Sequence, residues 1–216
     1  MERVTVYVDG FNFYYGLRRM RVVDNDWQKF YWIDFVKFFE HFIDRSQILQ
    51  KVVYFTTPPQ NIQKSNRQAK LLEVNKLLNG NRFEVIYGKF IDKWLICPKC
   101  KAKYKKPEEK RTDVNISVQM MNDCALDNTD VLLLITADSD LIPPLETIKA
   151  NHPNKKIKIL FPPKAFSNDL NNFVKANRRR VIELKNHKIR FTRAIMPDTV
   201  TKDGITYTIP SKWKVT

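Results

Sequence analysis

Cysteine and histidine are scarce in this 216-residue chain, three of each. An odd number of cysteines in a chain this long fits a reducing compartment better than a disulfide-stapled scaffold. No segment approaches the roughly 20 consecutive apolar residues that span a bilayer. The chain enters a strand pattern at residue 3 without the apolar core and small-residue cleavage site of a secretory signal, so a soluble, cytoplasmic protein is expected. Acidic residues also fall short. Against 38 Lys and Arg stand 23 Asp and Glu, a formal net charge of +15. That imbalance makes a polyanion the expected partner, nucleic acid ahead of an anionic membrane surface. No internal repeat is visible, and 43% hydrophobic content is enough for one domain with a full core.

What is present is organised around residues 131–140, VLLLITADSD, an apolar run that stops at two carboxylates, Asp138 and Asp140. Consecutive apolar residues bounded by polar ones read as a strand buried on both faces, as in a parallel sheet between two helix layers. The acids then lie at the strand's carboxyl end, the edge where open α/β sheets bind ligands. Residues 3–8 repeat the pattern and run into Asp9-Gly10-Phe11-Asn12. A third acid, Asp113, opens a helical pattern over 113–126, where a helix N-terminus favours negative charge. Each acid alone reads as a helix cap or turn residue more readily than as a ligand; their joint position favours a metal site.

Helices are expected over 12–20, 34–43, 61–78, 141–150 and 168–176, and strands over 48–56, 83–87, 156–161 and 181–184. In the first helix Phe11, Tyr14, Tyr15 and Leu17 are expected to cover the sheet, and in the helix after Asp113 so are Val114, Ile116, Val118, Met120, Met121 and Ala125. Residues 88–96 alternate well enough to extend the third strand into a hairpin. An insertion at about 89–111 carries Cys97-Pro98-Lys99-Cys100, the shape of a zinc knuckle. No second C-x-x-C completes four ligands, so a vestigial knuckle, a reduced loop or a site shared by two chains of a homodimer outweighs an intact zinc centre. Lys103, Lys105, Lys106, Lys110 and Arg111 in that insertion, with Lys164, Arg178 and Arg179 further on, are the candidate phosphate contacts. From residue 187 the composition turns Thr-, Pro- and Lys-rich, with a hairpin signal at Lys202-Asp203-Gly204; the expected organisation is a domain over 1–186 and a C-terminal extension over 187–216.

Asp9-Gly10-Phe11-Asn12, residues 109–116 (EKRTDVNI) and residues 136–144 (TADSDLIPP) resemble the three blocks of NYN domain proteins, the LabA-like branch of the PIN-like nuclease superfamily. The resemblance runs from residue 3 to about 184. It implies a doubly wound, mainly parallel α/β sheet of order 3-2-1-4-5 with helices on both faces, and a metal-dependent ribonuclease site at its carboxyl edge. One departure stands out: many relatives carry a further acid where this chain has Gln119.

In that order Asp9 and Asp138 are neighbours across the switch point, with Asp113 and Asp140 closing the ring. Crowded carboxylates repel one another unless a divalent cation sits among them, and oxygen-only ligation selects Mg²⁺ or Mn²⁺ over zinc. Asn12 and Ser139 are expected to position the metal shell or the scissile phosphate. The expected reaction is hydrolysis of RNA to 5′-phosphate and 3′-hydroxyl ends, RNA being preferred to DNA through the resemblance. Two rivals are a non-catalytic RNA-binding module and a phosphohydrolase of small esters that forms an aspartyl-phosphate on Asp9.

Overall fold

A computed structural model, describing residues 1–176 and 181–215, shows how these patterns assemble. The chain runs β1 (Glu2–Asp9), α1 (Gly10–Val23), α2 (Phe35–Glu40), β2 (Gln47–Thr56), α3 (Ile62–Asn79) and β3 (Phe83–Tyr87). A hairpin, β4 (Lys89–Ile96) and β5 (Lys103–Lys110), comes next. There follow α4 (Thr112–Ala125), β6 (Val131–Ile135), α5 (Ile142–Asn151), β7 (Lys156–Phe161), α6 (Asn168–Ala176) and β8 (Ile182–Glu183). The chain ends with α7 (Lys188–Arg193) and a second hairpin, β9 (Thr199–Lys202) with β10 (Ile205–Thr208). Among the described residues no helix is long and apolar enough to cross a membrane.

Six strands pair in parallel in the order β3-β2-β1-β6-β7-β8. With the hairpin set aside this is the expected 3-2-1-4-5 order, lengthened by a two-residue strand at the edge. Side chains alternate along each strand. β1 sends Val4, Val6 and Val8 to one face and Tyr7 to the other, and β6 divides Val131, Leu133 and Ile135 from Leu132 and Leu134. Helices cover both faces, which is why β6 can be apolar at every position.

On the first face α1, α2, α3 and α7 pack around aromatic rings. Phe191 of α7 lies with its centroid 4.2 Å from Phe38 and 5.0 Å from Phe30. Residues after 187 join this core: Met196, Val200, Ile209 and Trp213 are buried in it, and Trp32 Nε1 donates to the Pro197 carbonyl at 2.9 Å. On the second face α4, α5 and α6 contribute Ile116, Met120, Leu145, Ile148, Leu170 and Val174.

Three expectations need correction. In α1 the inward stripe is Phe13, Gly16 and Leu17; Phe11 and Tyr14 are half-buried and Tyr15 is 44% exposed. Gly16 accounts for the rotation, because it lies so close to the β7–α6 turn that a Cβ there would meet the Pro163 carbonyl at 2.6 Å. In α4 only Ile116, Met120 and Cys124 of the apolar side chains are buried, while Val114, Val118, Met121 and Ala125 are exposed; one buried residue per turn is a narrower stripe than the apolar count suggested. Finally, residues 88–96 do not pair with β3. They form β4, which pairs antiparallel with β5 as a separate two-stranded sheet.

Arg3 at the start of β1 clasps Asp130 at the start of β6. Its Nε, Nη2 and backbone N donate to the carboxylate at 2.9, 2.8 and 2.8 Å, holding Asp130 well below the usual carboxylate range. A carboxyl with a depressed folded-state pKa contributes stability above its unfolded value near 4 and loses that contribution as pH falls. Because the pair is partly exposed, Asp130→Asn should lower the unfolding free energy by only about 1 kcal/mol at pH 7. Urea titrations should show the gap between variant and wild type closing as pH drops below about 4.

Candidate active site

In a parallel sheet all strands end on one edge, and here the order reverses between β1 and β6, opening a crevice at their carboxyl ends. Asp9 closes β1 and is only 2% exposed. It caps α1 by accepting the Asn12 backbone N–H at 3.0 Å, and the Asn12 side-chain amide donates to its second oxygen. Thr136, just past β6, donates its hydroxyl to that second oxygen at 2.9 Å and accepts the Asp138 N–H at 3.0 Å. One hydroxyl therefore ties the ends of the two central strands together. Asp138 in turn accepts the Asp140 N–H at 3.0 Å, and the half-buried Ser139 lies in the same turn. Burial pushes the Asp9 carboxyl above its ordinary value despite these donors.

The first turn of α4 brings Asp113 to the same edge. Burial, and then the carboxylates of Asp138, Asp9, Glu109 and Asp140, push its pKa up to about 6. The four acids named from the sequence thus share one electrostatic neighbourhood, joined by a fifth. Glu109, on β5, accepts hydrogen bonds from Thr112 Oγ1 and, at 3.3 Å, from Thr57 Oγ1. It stands four residues before Asp113 in a motif already noted, but only the path of the hairpin brings it here. Among the described residues no three His, Cys, Asp or Glu come close enough together to hold a metal ion as they stand.

Tyr7 fixes α4 over the sheet. Its buried hydroxyl donates to Asp123 at 2.8 Å, and Gln119 donates to the same Asp123 oxygen at 3.1 Å. Gln119 is thus committed to Asp123.

The hairpin springs from the site. A Cβ on Gly88 would meet Thr57 Oγ1 at 2.6 Å and the Lys110 carbonyl at 2.8 Å, so only glycine lets the two ends of the arm close beside the acids. The register Phe90↔Glu109 and Trp94↔Lys105 puts Lys103, Lys105 and Glu109 on one face of the arm, and Lys106 and Lys110 on the other. Lys105 lies 5.2 Å from the centre of the Trp94 ring, and Lys110 pairs with Glu108 at 2.9 Å. Arg111 links β5 to α4 with φ 80°, and Lys164 has φ 53° in the β7–α6 turn, its carbonyl accepting Arg19 Nε at 3.1 Å. Arg178 and Arg179 lie outside the described residues. Cys97 and Cys100 sit at the turn of the arm, where N–H groups of Cys100 and Lys99 hold the Cys97 thiol below its ordinary value. Cys124 is buried in α4.

Comparison with known proteins places this geometry. The family model for the NYN domain matches residues 3–177. The chain belongs to the NYN domain family. That family lies within the PIN-like nuclease superfamily, in keeping with the parallel sheet and its two helix layers. The 6-hydroxy-3-succinoylpyridine 3-monooxygenase HspA of Pseudomonas putida (strain DSM 28022 / S16) is 25% identical over 195 residues, 74% of this chain and 59% of that protein. The chain therefore spans about three fifths of that relative's length. A crystal structure of a protein of unknown function from Vibrio parahaemolyticus shares the fold with TM-score 0.51 and 18% identity, covering 79% of this chain and 88% of that one.

Because Tyr7 anchors the helix that carries Asp113 in this NYN domain, Tyr7→Phe should leave a buried carboxylate one donor short. The expected cost is about 1–2 kcal/mol, read as a fall in Tm of roughly 2–8 °C in a thermal melt.

Proposed function

We propose that this NYN domain is a metal-dependent ribonuclease that hydrolyses RNA phosphodiester bonds to leave 5′-phosphate and 3′-hydroxyl ends. The observation that carries the reading is the arrival of Asp9, Asp113, Asp138 and Asp140 at one sheet edge from β1, α4 and the turn after β6, with Asp113 raised to about 6 in their company. That excess of negative charge inside a protein of net charge +15 is what a divalent cation would relieve.

The donors fit Mg²⁺ or Mn²⁺. They are carboxylate oxygens, with Asn12 and Ser139 as neutral neighbours, and Mg²⁺ is commonly held through one or two carboxylates while keeping several waters. Such a cation, when bound, polarises a phosphate oxygen and lowers the pKa of a coordinated water. The chain's own residues prepare the place: Thr136 and Asn12 aim the Asp9 carboxylate, and Thr136 also sets the turn that presents Asp138. Lys103 and Lys106, together with Arg111 and Lys164, are proposed phosphate contacts along the strand's approach. Free thiols at all three cysteines suit the reducing cytoplasm.

The test is cleavage of end-labelled single-stranded RNA and DNA by wild type, Asp138→Asn and Thr136→Val, each in EDTA, Mg²⁺ or Mn²⁺. Cutting is expected only with metal and preferentially on RNA, with 5′-phosphate products. Thr136→Val, which removes only the hydroxyl linking Asp9 to Asp138, should cost roughly 10- to 100-fold, and Asp138→Asn more. Metal-independent RNA binding with no cutting in any of these conditions would overturn the nuclease reading in favour of a binding module.

A further inference from the structure

Beside the acids lies a cleft of about 360 Å³ that the carboxylate chemistry does not use. It runs between α1, the first turns of α3 and the root of the hairpin arm, and its lining begins at Gly10, the neighbour of Asp9. The aromatic residues that turn away from the core of α1 line it. Phe11 and Tyr15 lie with ring planes 14° apart and centroids 6.2 Å apart, and Phe90 of β4 meets Phe11 edge-on at 6.1 Å. Arg18 stands 5.6 Å from the centre of the Tyr15 ring and 6.0 Å from that of Tyr14. Lys64 and Arg67 of α3 complete the wall.

The charge in this cleft is unbalanced. No Asp or Glu lines it, and no described acid forms an ion pair with Arg18, Lys64 or Arg67. A pocket that offers aromatic faces and uncompensated cations together selects a ligand that is planar, polarisable and anionic. The volume is at the small end of ligand pockets and has room for a nucleobase. The surroundings favour a strand over a free nucleotide. The face of the hairpin arm that carries Phe90 continues outward through Asp92 to Trp94, with Lys105 5.2 Å from the ring centre and 3.7 Å from Asp92, and so adds a further aromatic face beyond the cleft.

We propose that this cleft seats an unpaired nucleobase of a single-stranded nucleic acid, one nucleotide removed from the carboxylate edge, with Tyr15 and Phe11 as its stacking faces and Arg18 beside its phosphate. The proposal rests on the nuclease reading only for the identity of the neighbouring edge. It makes single-stranded polymer the substrate class, because a base within a duplex cannot enter.

The experiment is fluorescence anisotropy of a labelled single-stranded RNA of about eight nucleotides with the full chain in EDTA, where no cutting is needed. Tyr15→Ala and Arg18→Ala should each weaken binding roughly 5- to 100-fold. Tyr15→Trp should restore it, and a duplex of the same length should bind the wild type and Tyr15→Ala equally. Tyr15 is 44% exposed and outside the buried core, so an unchanged melting curve is expected to confirm that the variant is folded. Single-strand binding unchanged within twofold in both alanine variants, an equal loss for the duplex, or no binding by the wild type would overturn the proposal. So would competition by a 5′-mononucleotide as effective as that of the strand, which would assign the cleft to a free nucleotide. Binding that depends on Tyr15 without metal-dependent cutting would sink the nuclease and leave the cleft; cutting and binding indifferent to Tyr15 would do the reverse.

Discussion

Asp9 sits at the end of the central strand of a parallel sheet with 2% of its surface exposed, a position where a carboxylate is costly unless donors surround it. Three hydrogen bonds meet the need, two from Asn12 and one from Thr136, and the two residues belong to different parts of the frame. The Asn12 amide opens α1, so the acid that lies at the crevice is also the cap that starts the first helix. The Thr136 hydroxyl lies just past the neighbouring strand, so the same acid fixes how the turn after β6 leaves the sheet. The positions of Asp138 and Asp140 follow from this contact, since Asp138 hangs from Thr136 and Asp140 from Asp138.

The remaining acids arrive by a different route. Asp113 and Glu109 lie on either side of the junction where the hairpin returns to the domain, and their place depends on how closely the arm's two ends meet. Gly88 permits that approach, and the buried Tyr7–Asp123 contact holds α4 at the angle that brings its first turn to the edge. The result is a concentrated negative site in a strongly positive molecule.

The helix that Asp9 caps has two working sides. Phe13, Gly16 and Leu17 bind it to the sheet and to the β7–α6 turn, while Phe11, Tyr15 and Arg18 face the cleft. A helix placed this way couples the core to the surface beside the acids without any moving part, because the same backbone carries both.

Much of this was legible in the chain itself. Continuous apolar runs announced buried parallel strands, Asn61 and Asp34 announced helix starts, Asp203-Gly204 announced a hairpin, and four acids at element boundaries announced the edge. These are local patterns, governed by sterics, capping and burial within a few residues, and sequence alone determines them. What only tertiary structure decided depends on contacts far apart in the chain. Periodicity says that α1 has an apolar side but not which of its aromatic residues meets the sheet; Gly16 against Pro163 settles that, across 147 positions of sequence. Glu109 joins the acids, and Phe90 joins the cleft, only because β4 pairs with β5 in one register, and register is fixed by cross-strand packing that no single strand contains.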